Sequence, residues 1–335
     1  MHSAYLVGEI GLSHEGSLGT ALSMVKRAKE IGLDCVKFQM HDTFFESTIS
    51  EQFRVSVFPQ DISRSAYWNR TSFTSKEWEY IYEYCNSINI DFLCTPFSVN
   101  AAKLLKDLGC KSVKIASGDF DNDELLEFCG KEFETIYLST GFACMEEIEL
   151  RSEYFQLHFQ RQPIFLQCTS KYPTPLEEVG LIFFDWYSEN NLNYGLSDHT
   201  GNPHVIMSAI ALHAQMVEFH VVFSKYQFGP DSGSSLTFEQ AKEIVEFRST
   251  FEQITLHSYS KNQVSSDLKS VKEIFERGLS LKASKKKGEV IHLADLTLKK
   301  PKGPFGWENR DLFIGKKLSC DVSSNQHLDI DCIEN

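Results

Sequence analysis

The chain has no CxxC pair and no apolar run near the roughly 18–20 residues that a membrane helix needs. It has no excess of positive charge either. Its nine cysteines are scattered singly, which excludes a compact disulfide framework and a structural zinc knot. An odd cysteine count behind an opening, MHSAYLVGEIGLSHEG, with no basic leader gives the expectation of a reducing, cytoplasmic setting. Lys and Arg total 33 against 46 Asp and Glu, a formal charge of −13. That balance argues against nucleic acid as a general partner, because neutralising phosphates needs a basic surface. An anionic substrate would need a few local lysines to overcome a repulsive overall field. Long internal repeats and low-complexity tracts are absent.

What is present suits a soluble two-part chain. Hydrophobic residues make up 42% and charged residues 24%, and Phe is unusually frequent at 26. A length of 335 residues fits one large domain and one small one better than a single domain. Short apolar runs read as strands at AYLVGEI (4–10), CVKFQM (35–40), DFLCTPF (91–97), SVKIAS (112–117), TIYLST (135–140), PIFLQCT (163–169), NYGLS (193–197) and MVEFHVVF (216–223). Amphipathic segments such as SLGTALSMVKRAKEIG and VNAAKLLKDLG separate them, with apolar residues recurring at three and four. Eight such alternations predict an α/β fold, a (β/α)₈ TIM barrel, over residues 1–258. The second loop, 41–74, is long, aromatic and rich in Arg and Ser, which marks it as functional or interface-forming. Residues 259–278 read as a polar linker with a helical portion. Residues 279–335 carry short β-like pieces, a KKKG turn and a Pro/Gly-rich loop, too little for an independent large core.

In such a barrel the chemistry gathers at the C-terminal ends of the strands. Reading each strand to its end gives Glu9 and then Glu15, Lys37 with Gln39, Thr95, Lys114 with Ser117, Ser139, Ser170, Ser197 with His199, and His220. Each has a bland alternative. A lysine inside an apolar strand can snorkel or pair with a barrel glutamate, and an SG or STG can be a plain βα turn. Glu15 can simply complement a helix N-terminus. Asp119 and Asp231 can be turn formers or can grip sugar hydroxyls. Taken together, Lys37, Lys114, Ser117-Gly118 and Ser139-Thr140-Gly141 favour an anion cradle. His199 and His220 end neighbouring strands and face one mouth. Two imidazoles are few for zinc, but they suit an open Mn²⁺-type ion that keeps positions for water and substrate.

These residues fall in motifs, EIGLSHEGSLGTAL, DCVKFQ, CTPFS, VKIASGD, LSTG, CTSKYPTP, GLSDHT and FGPD, that resemble the sialic acid synthase family in the family's order. KKKGEVIHLADLTLKKPKG and FIGKKL resemble its antifreeze-like (SAF) domain, so the likeness covers nearly the whole chain. It implies condensation of phosphoenolpyruvate with an amino-sugar aldehyde to a nonulosonic acid by a barrel joined to a small SAF domain rich in short β-strands. It also implies a domain-swapped homodimer. A divalent ion, Mn²⁺ with Mg²⁺ or Co²⁺ as alternatives, would sit on His199 and His220. Lys37, Lys114, Ser117, Ser139 and Ser197 would take phosphoenolpyruvate, with Thr95 and Gln39 nearby. Glu15 would manage the proton or water, while Asp119, Tyr172 and Asp231 would face the sugar.

Several positions depart from that pattern. Asp119 stands where the family typically has glutamate, Ser170 for an asparagine, Gln167 for a histidine, and Lys300 for the small domain's arginine. Lysine cannot reproduce a bidentate fork. The departures fall on the sugar half, which leaves N-acetylmannosamine and a 2,4-diacetamido-trideoxyhexose of the legionaminic or pseudaminic type as competing acceptors. Two other functions fit parts of the sequence. A Schiff-base aldolase would use Lys37, Lys114 or Lys171 as a desolvated lysine. A non-catalytic sugar-binding relative would explain the altered sugar side alone.

Overall fold

Alternate side chains of a strand point to opposite faces, and here each parity of the apolar runs finds its own surroundings. The structure, a computed structural model, describes residues 3–48, 50–53, 60–256, 262 and 265–334. It divides into two units, Met1–His257 and Ser258–Asn335. In the first unit, strands β1 (Tyr5–Gly11), β2 (Cys35–Met40), β3 (Asp91–Pro96), β4 (Ser112–Ile115), β5 (Thr135–Ser139), β6 (Ile164–Cys168), β7 (Asn193–Asp198) and β8 (Met216–Val222) run parallel. Their hydrogen-bonded path is β3-β2-β1-β8-β7-β6-β5-β4, and β3 lies against β4 to close the ring. Every strand expected from the sequence forms, with ends shifted by no more than two residues.

Helices α1 (Leu18–Ile31), α2 (Thr43–Glu46), α3 (Arg64–Thr71), α4 (Ser75–Ser87), α5 (Val99–Asp107), α6 (Asp123–Glu132), α7 (Met145–Phe159), α8 (Phe183–Glu189), α9 (Pro203–Ala211) and α10 (Phe238–Leu256) fill the connections. Short polar residues start several of them by accepting otherwise orphaned backbone N–H groups. Ser17 takes the Thr20 amide, Ser98 that of Ala101 and Asn122 that of Leu125. The second loop, 41–74, contains two of these helices, α2 and α3. Residues 49 and 54–59 of that loop lie outside the described residues. Among the described residues no helix is long and apolar enough to cross a membrane.

One parity of the strands packs outward against the helices, through Leu6, Ile10, Val36, Phe38, Ile115, Leu138, Phe165, Phe219 and Val221. The other parity fills the barrel. At its N-terminal end Val7, Cys35, Leu93, Leu166 and Met216 form an apolar plug with Tyr5, Tyr137 and Ile164 against it. Two residues further along the same strands stand Glu9, Lys37, Thr95, Cys168, Glu218 and, after Tyr137, Ser139. The inward face therefore changes from apolar to ionisable within one pleat repeat. Gly195 of β7 makes the plug possible: a Cβ there would lie 2.3 Å from the Met216 carbonyl oxygen and 2.9 Å from Leu166 Cδ2.

The second unit includes helix α11 (Ser266–Phe275), which lies in the stretch read from sequence as a linker. Residues 258–261, 263 and 264 are outside the described set. An antiparallel ribbon, β9 (Gly278–Leu281) with β10 (Leu296–Lys299), and scattered bridges such as Val290 with Lys317 enclose a small core. That core holds Leu279, Leu281, Ile291, Leu296, Phe313, Leu318, Val322 and Leu328.

Because the clash at Gly195 is with backbone, repacking cannot relieve it cheaply. Gly195→Ala is expected to lower stability by about 1–3 kcal/mol, read as a lower denaturant midpoint with an unchanged slope.

Candidate active site

The ionisable layer above the plug is closed to water: Glu9, Lys37, Lys114 and Glu218 are each at most 4% exposed. Buried charges persist only when paired and hydrogen-bonded, and these are. The Lys37 ammonium is 2.9 Å from Glu9 Oε2 and 3.5 Å from Glu218 Oε1, and it donates to Thr95 Oγ1 at 3.1 Å. Lys114 donates to Glu218 Oε2 at 2.9 Å. Ser197 Oγ donates to Glu218 Oε1 at 3.2 Å, and Gln39 Nε2 to Glu9 Oε1 at 2.9 Å. Burial alone would lower the Lys37 ammonium, but Glu218 and Glu9 carry it above the ordinary lysine range. Burial likewise opposes ionisation of Glu218, and the two lysines outweigh it, holding its carboxyl well below the usual range.

The two lysines are thus paired with barrel glutamates, the bland reading of their sequence, and they also line a cavity of about 600 Å³. The cavity receives Gln39, Thr95, Ser117, Asp119, Ser139, Ser170, Tyr172, Ser197, His199, His220 and Asp231 as well. Ser139 Oγ is buried there without a hydrogen-bond partner among the described residues. Ser117 Oγ accepts from the Gly141 amide at 3.1 Å. A Cβ on Gly141 would lie 2.3 Å from Ser170 Oγ and 2.8 Å from Ser117 Oγ, so glycine lets both hydroxyls crowd the wall. Asp119 accepts from Asn122 at 2.9 Å, and burial pushes its carboxyl up.

One sequence-predicted residue of this unit lies beside the cavity rather than in its lining, and another belongs to the second unit. Glu15 lies outside the cavity lining, its carboxylate held by Tyr67 Oη at 3.2 Å and Arg70 at 2.9 Å. Lys300 is in the second unit, its ammonium 4.5 Å from the Phe275 ring centroid. Gln167 is also away from the cavity and donates to the Val179 carbonyl at 3.2 Å, so that departure does not reach the site.

His199 and His220 share one corner, with ring centroids 5.5 Å apart and Tyr172 packed on His199 at 4.0 Å. His199 Nδ1 is 3.2 Å from the Thr169 carbonyl, which can only accept. The proton therefore sits on Nδ1, and Nε2 presents its lone pair, the tautomer a metal ligand needs. Burial, with His220 adding to it, lowers His199 to about 3, so it is neutral near pH 7. His220 Nδ1 is buried without a partner among the described residues. With metal–nitrogen distances of about 2.1 Å, two imidazoles on one ion have centroids roughly 5 Å apart, so the pair fits a shared divalent ion. Among the described residues no cluster of three or more His, Cys, Asp or Glu is arranged to hold one. Such an ion would keep most of its coordination positions for water or substrate.

The sequence reading passed over Glu218 and most of what the second loop brings. Glu218 shares the parity of His220 within an apolar run, which was its available signal. Tyr67, Trp68 and Arg64 of α3, with His41 and Phe97, line the cavity's upper wall. His41 is stacked between Trp68 at 4.4 Å and Phe97 at 4.2 Å, and its Nδ1 meets Glu46 at 3.0 Å.

Comparison with known proteins agrees with the barrel fold. The model of the NeuB family matches residues 24–258. The chain is 30% identical to N,N'-diacetyllegionaminic acid synthase of Campylobacter jejuni, over 94% of this chain and 96% of that one. It is 29% identical to pseudaminic acid synthase of Campylobacter jejuni, over 95% and 93%. The crystal structure of N-acetylneuraminic acid synthetase from Leptospira borgpetersenii, in complex with citrate, superimposes with a TM-score of 0.68 at 25% identity. That match covers 81% of this chain and 90% of the other.

Two outcomes follow for the buried groups. Glu218→Gln leaves two lysine charges undercompensated and is expected to cost about 3–5 kcal/mol, measured by denaturant unfolding at pH 7. His199 is neutral when folded down to about pH 3, while the unfolded chain protonates it below its ordinary 6.5. Its contribution to stability is therefore lost as pH falls through that window. His199→Asn is expected to flatten the stability–pH curve between about 6.5 and 3.

Proposed function

The chain belongs to the NeuB family, and on that premise we propose that it makes a nonulosonic acid by condensing phosphoenolpyruvate with the open-chain aldehyde of an N-acylated hexosamine. The observation that carries the reading is the charge balance of the barrel layer. Lys37 and Lys114 are matched by Glu9 and Glu218, so the layer is neutral overall although it presents ammonium groups and hydroxyls. A phosphate-bearing trianion placed there needs further positive charge, and in this reading a divalent ion at the His199–His220 corner would supply it.

In this reading Lys37, Lys114, Ser117, Ser139 and Ser197 bind the phosphate and carboxylate of phosphoenolpyruvate, with Thr95 and Gln39 fixing the first lysine and its glutamate. Ser139 Oγ, buried without a partner among the described residues, has a hydroxyl to offer. His199 and His220 would hold a divalent ion, Mn²⁺ in the first instance, which when bound would supply Lewis-acid polarisation of the aldehyde oxygen. Asp119, Ser170, Tyr172 and Asp231 orient the sugar. The enol carbon of phosphoenolpyruvate forms the new C–C bond to the aldehyde carbon, whose oxygen takes a proton and becomes a hydroxyl. The cationic C2 centre left behind takes up water, which gives its proton to the Tyr67 hydroxyl as that hydroxyl passes its own proton to a carboxylate, Glu15 being the candidate. Collapse of that adduct breaks the C2–O bond and releases phosphate. The second unit is proposed to be the antifreeze-like module of a cytoplasmic homodimer, on the motifs KKKGEVIHLADLTLKKPKG and FIGKKL. A Schiff-base aldolase needs a lysine that loses its proton readily, and Lys37 is shifted the opposite way.

The test is phosphate release with phosphoenolpyruvate, Mn²⁺ and a panel holding N-acetylmannosamine, 2,4-diacetamido-trideoxyhexoses and unmodified mannose, with products weighed. One N-acylated sugar is expected to give equimolar phosphate and a keto acid three carbons longer than the sugar. Chelation should abolish release, and His220→Ala should lower it by more than about 100-fold without recovery on adding Mn²⁺. Full activity of His220→Ala in metal-free buffer, or a borohydride-trapped pyruvate adduct, would overturn the reading.

A further inference from the structure

The β1–α1 turn that carries Glu15 has an unusual support. Glu15 adopts φ 51°, a left-handed conformation that non-glycine residues rarely hold without surrounding constraint, and Gly16 follows at φ 77°. The constraint comes from α3, some fifty residues later in the chain. A Cβ on Gly16 would lie 2.4 Å from the Arg70 carbonyl oxygen, so the turn rests directly on the end of that helix. From the same helix, Arg70 Nη2 donates to Glu15 Oε2 at 2.9 Å and Nη1 to the Glu15 backbone carbonyl at 3.5 Å. Tyr67 Oη donates to Glu15 Oε1 at 3.2 Å. Arg70 is itself braced, its Nε 3.0 Å from Asp61 Oδ1 and its Nη2 2.9 Å from Asp61 Oδ2, and its guanidinium lies 5.2 Å from the Tyr67 ring.

We propose that Arg70 is a positioning residue for Glu15, a guanidinium from the second loop that holds this carboxylate charged and oriented behind the Tyr67 wall of the cavity. The inference rests on the reading of Glu15 as the proton acceptor and deepens it. The charged and titratable groups around Glu15 are few enough to name. Arg70 and Tyr67 face it from α3 and Asp61 from the segment before α3. The Gly229 backbone approaches from the loop after β8, Asp231 of the same loop acts on Tyr67, and His14 adjoins Glu15 in its own turn. Burial favours the neutral acid, and a second carboxylate, Asp61, pushes the same way; Arg70 and the Tyr67 hydroxyl oppose both. Burial is the larger effect and leaves the Glu15 carboxyl above its ordinary range, and the guanidinium shared between two carboxylates limits that rise. Tyr67 connects this pair to the cavity, because its side chain forms part of the lining.

The sign of the effect follows. A base works when ionised, so its activity falls as pH drops through its pKa. Removing Arg70 removes the cation that favours the ionised form, and the acid limb of the pH profile must move to higher pH. For an ion pair at this distance the shift is about one unit, roughly a tenfold loss of kcat/KM on the acid limb. Losing Asp61 removes the competing carboxylate and moves the limb to lower pH.

The experiment is the pH profile of kcat/KM, from phosphate release, for the full chain and for Arg70→Gln, Arg70→Lys, Asp61→Asn and Glu15→Gln. The expected result is an inactive Glu15→Gln, a limb raised by about one unit in Arg70→Gln, near-recovery in Arg70→Lys, and a lowered limb in Asp61→Asn. If Arg70→Gln does not fold, the lowered limb in Asp61→Asn carries the test alone. An inactive Glu15→Gln with the limb unmoved in Arg70→Gln, or a raised or unmoved limb in Asp61→Asn, overturns the role of Arg70. A fully active Glu15→Gln overturns instead the assignment of Glu15 on which it rests.

Discussion

Two ammonium groups and two carboxylates are buried side by side in the barrel, and neither pair could remain ionised there without the other. Glu218 is the shared member, bonded to Lys114 at 2.9 Å, to Ser197 at 3.2 Å and facing Lys37 at 3.5 Å. An unpaired charge at that depth would cost several kcal/mol, so the four groups are held where the strand register puts them. The register sets Glu9 beside both Lys37 and His220, and Ser197 beside Glu218. The apolar plug below has the same dependence, since a one-residue slip would exchange its side chains with those facing the helices. Fold and site are therefore specified by one pattern, the inward parity of eight strands.

This is also why so much could be read from residues alone. Parallel strands buried on both faces appear as nearly continuous apolar runs, and a lysine or histidine within such a run is conspicuous. Lys37, Lys114 and His220 were found that way, and Ser117, Ser139, Ser197 and His199 by following their strands to the end. Glu218 was legible by the same rule, two residues before His220, yet its importance comes from partners on two other strands. Only closing the ring makes it the common counter-ion of Lys37 and Lys114.

The second loop was legible as long and aromatic but not as a builder of the site. Helix α3 reads RSAYWNRT, with no apolar periodicity, because its job is to present Tyr67 and Trp68 to the cavity and Arg70 to a turn far away in sequence. Its stability comes from those contacts and from the small apolar cluster that Tyr67 and Trp68 form with Leu12. The sequence placed Glu15 on the first loop, and nothing local shows that its carboxylate turns toward Tyr67 and Arg70. Gln167 illustrates the converse. It looked like a change in the sugar-facing half, but it lies on the outward parity of β6 and bonds Val179.

The neutrality of the lysine–glutamate layer is the reason that the proposed donor needs an accompanying cation. Calorimetric titration of phosphoenolpyruvate into the protein, with Mn²⁺ and then with chelator, measures that dependence directly. The account predicts binding that weakens by at least about tenfold without the ion, with an equal and reciprocal effect of phosphoenolpyruvate on Mn²⁺ affinity. Equal phosphoenolpyruvate affinity in both titrations would contradict it.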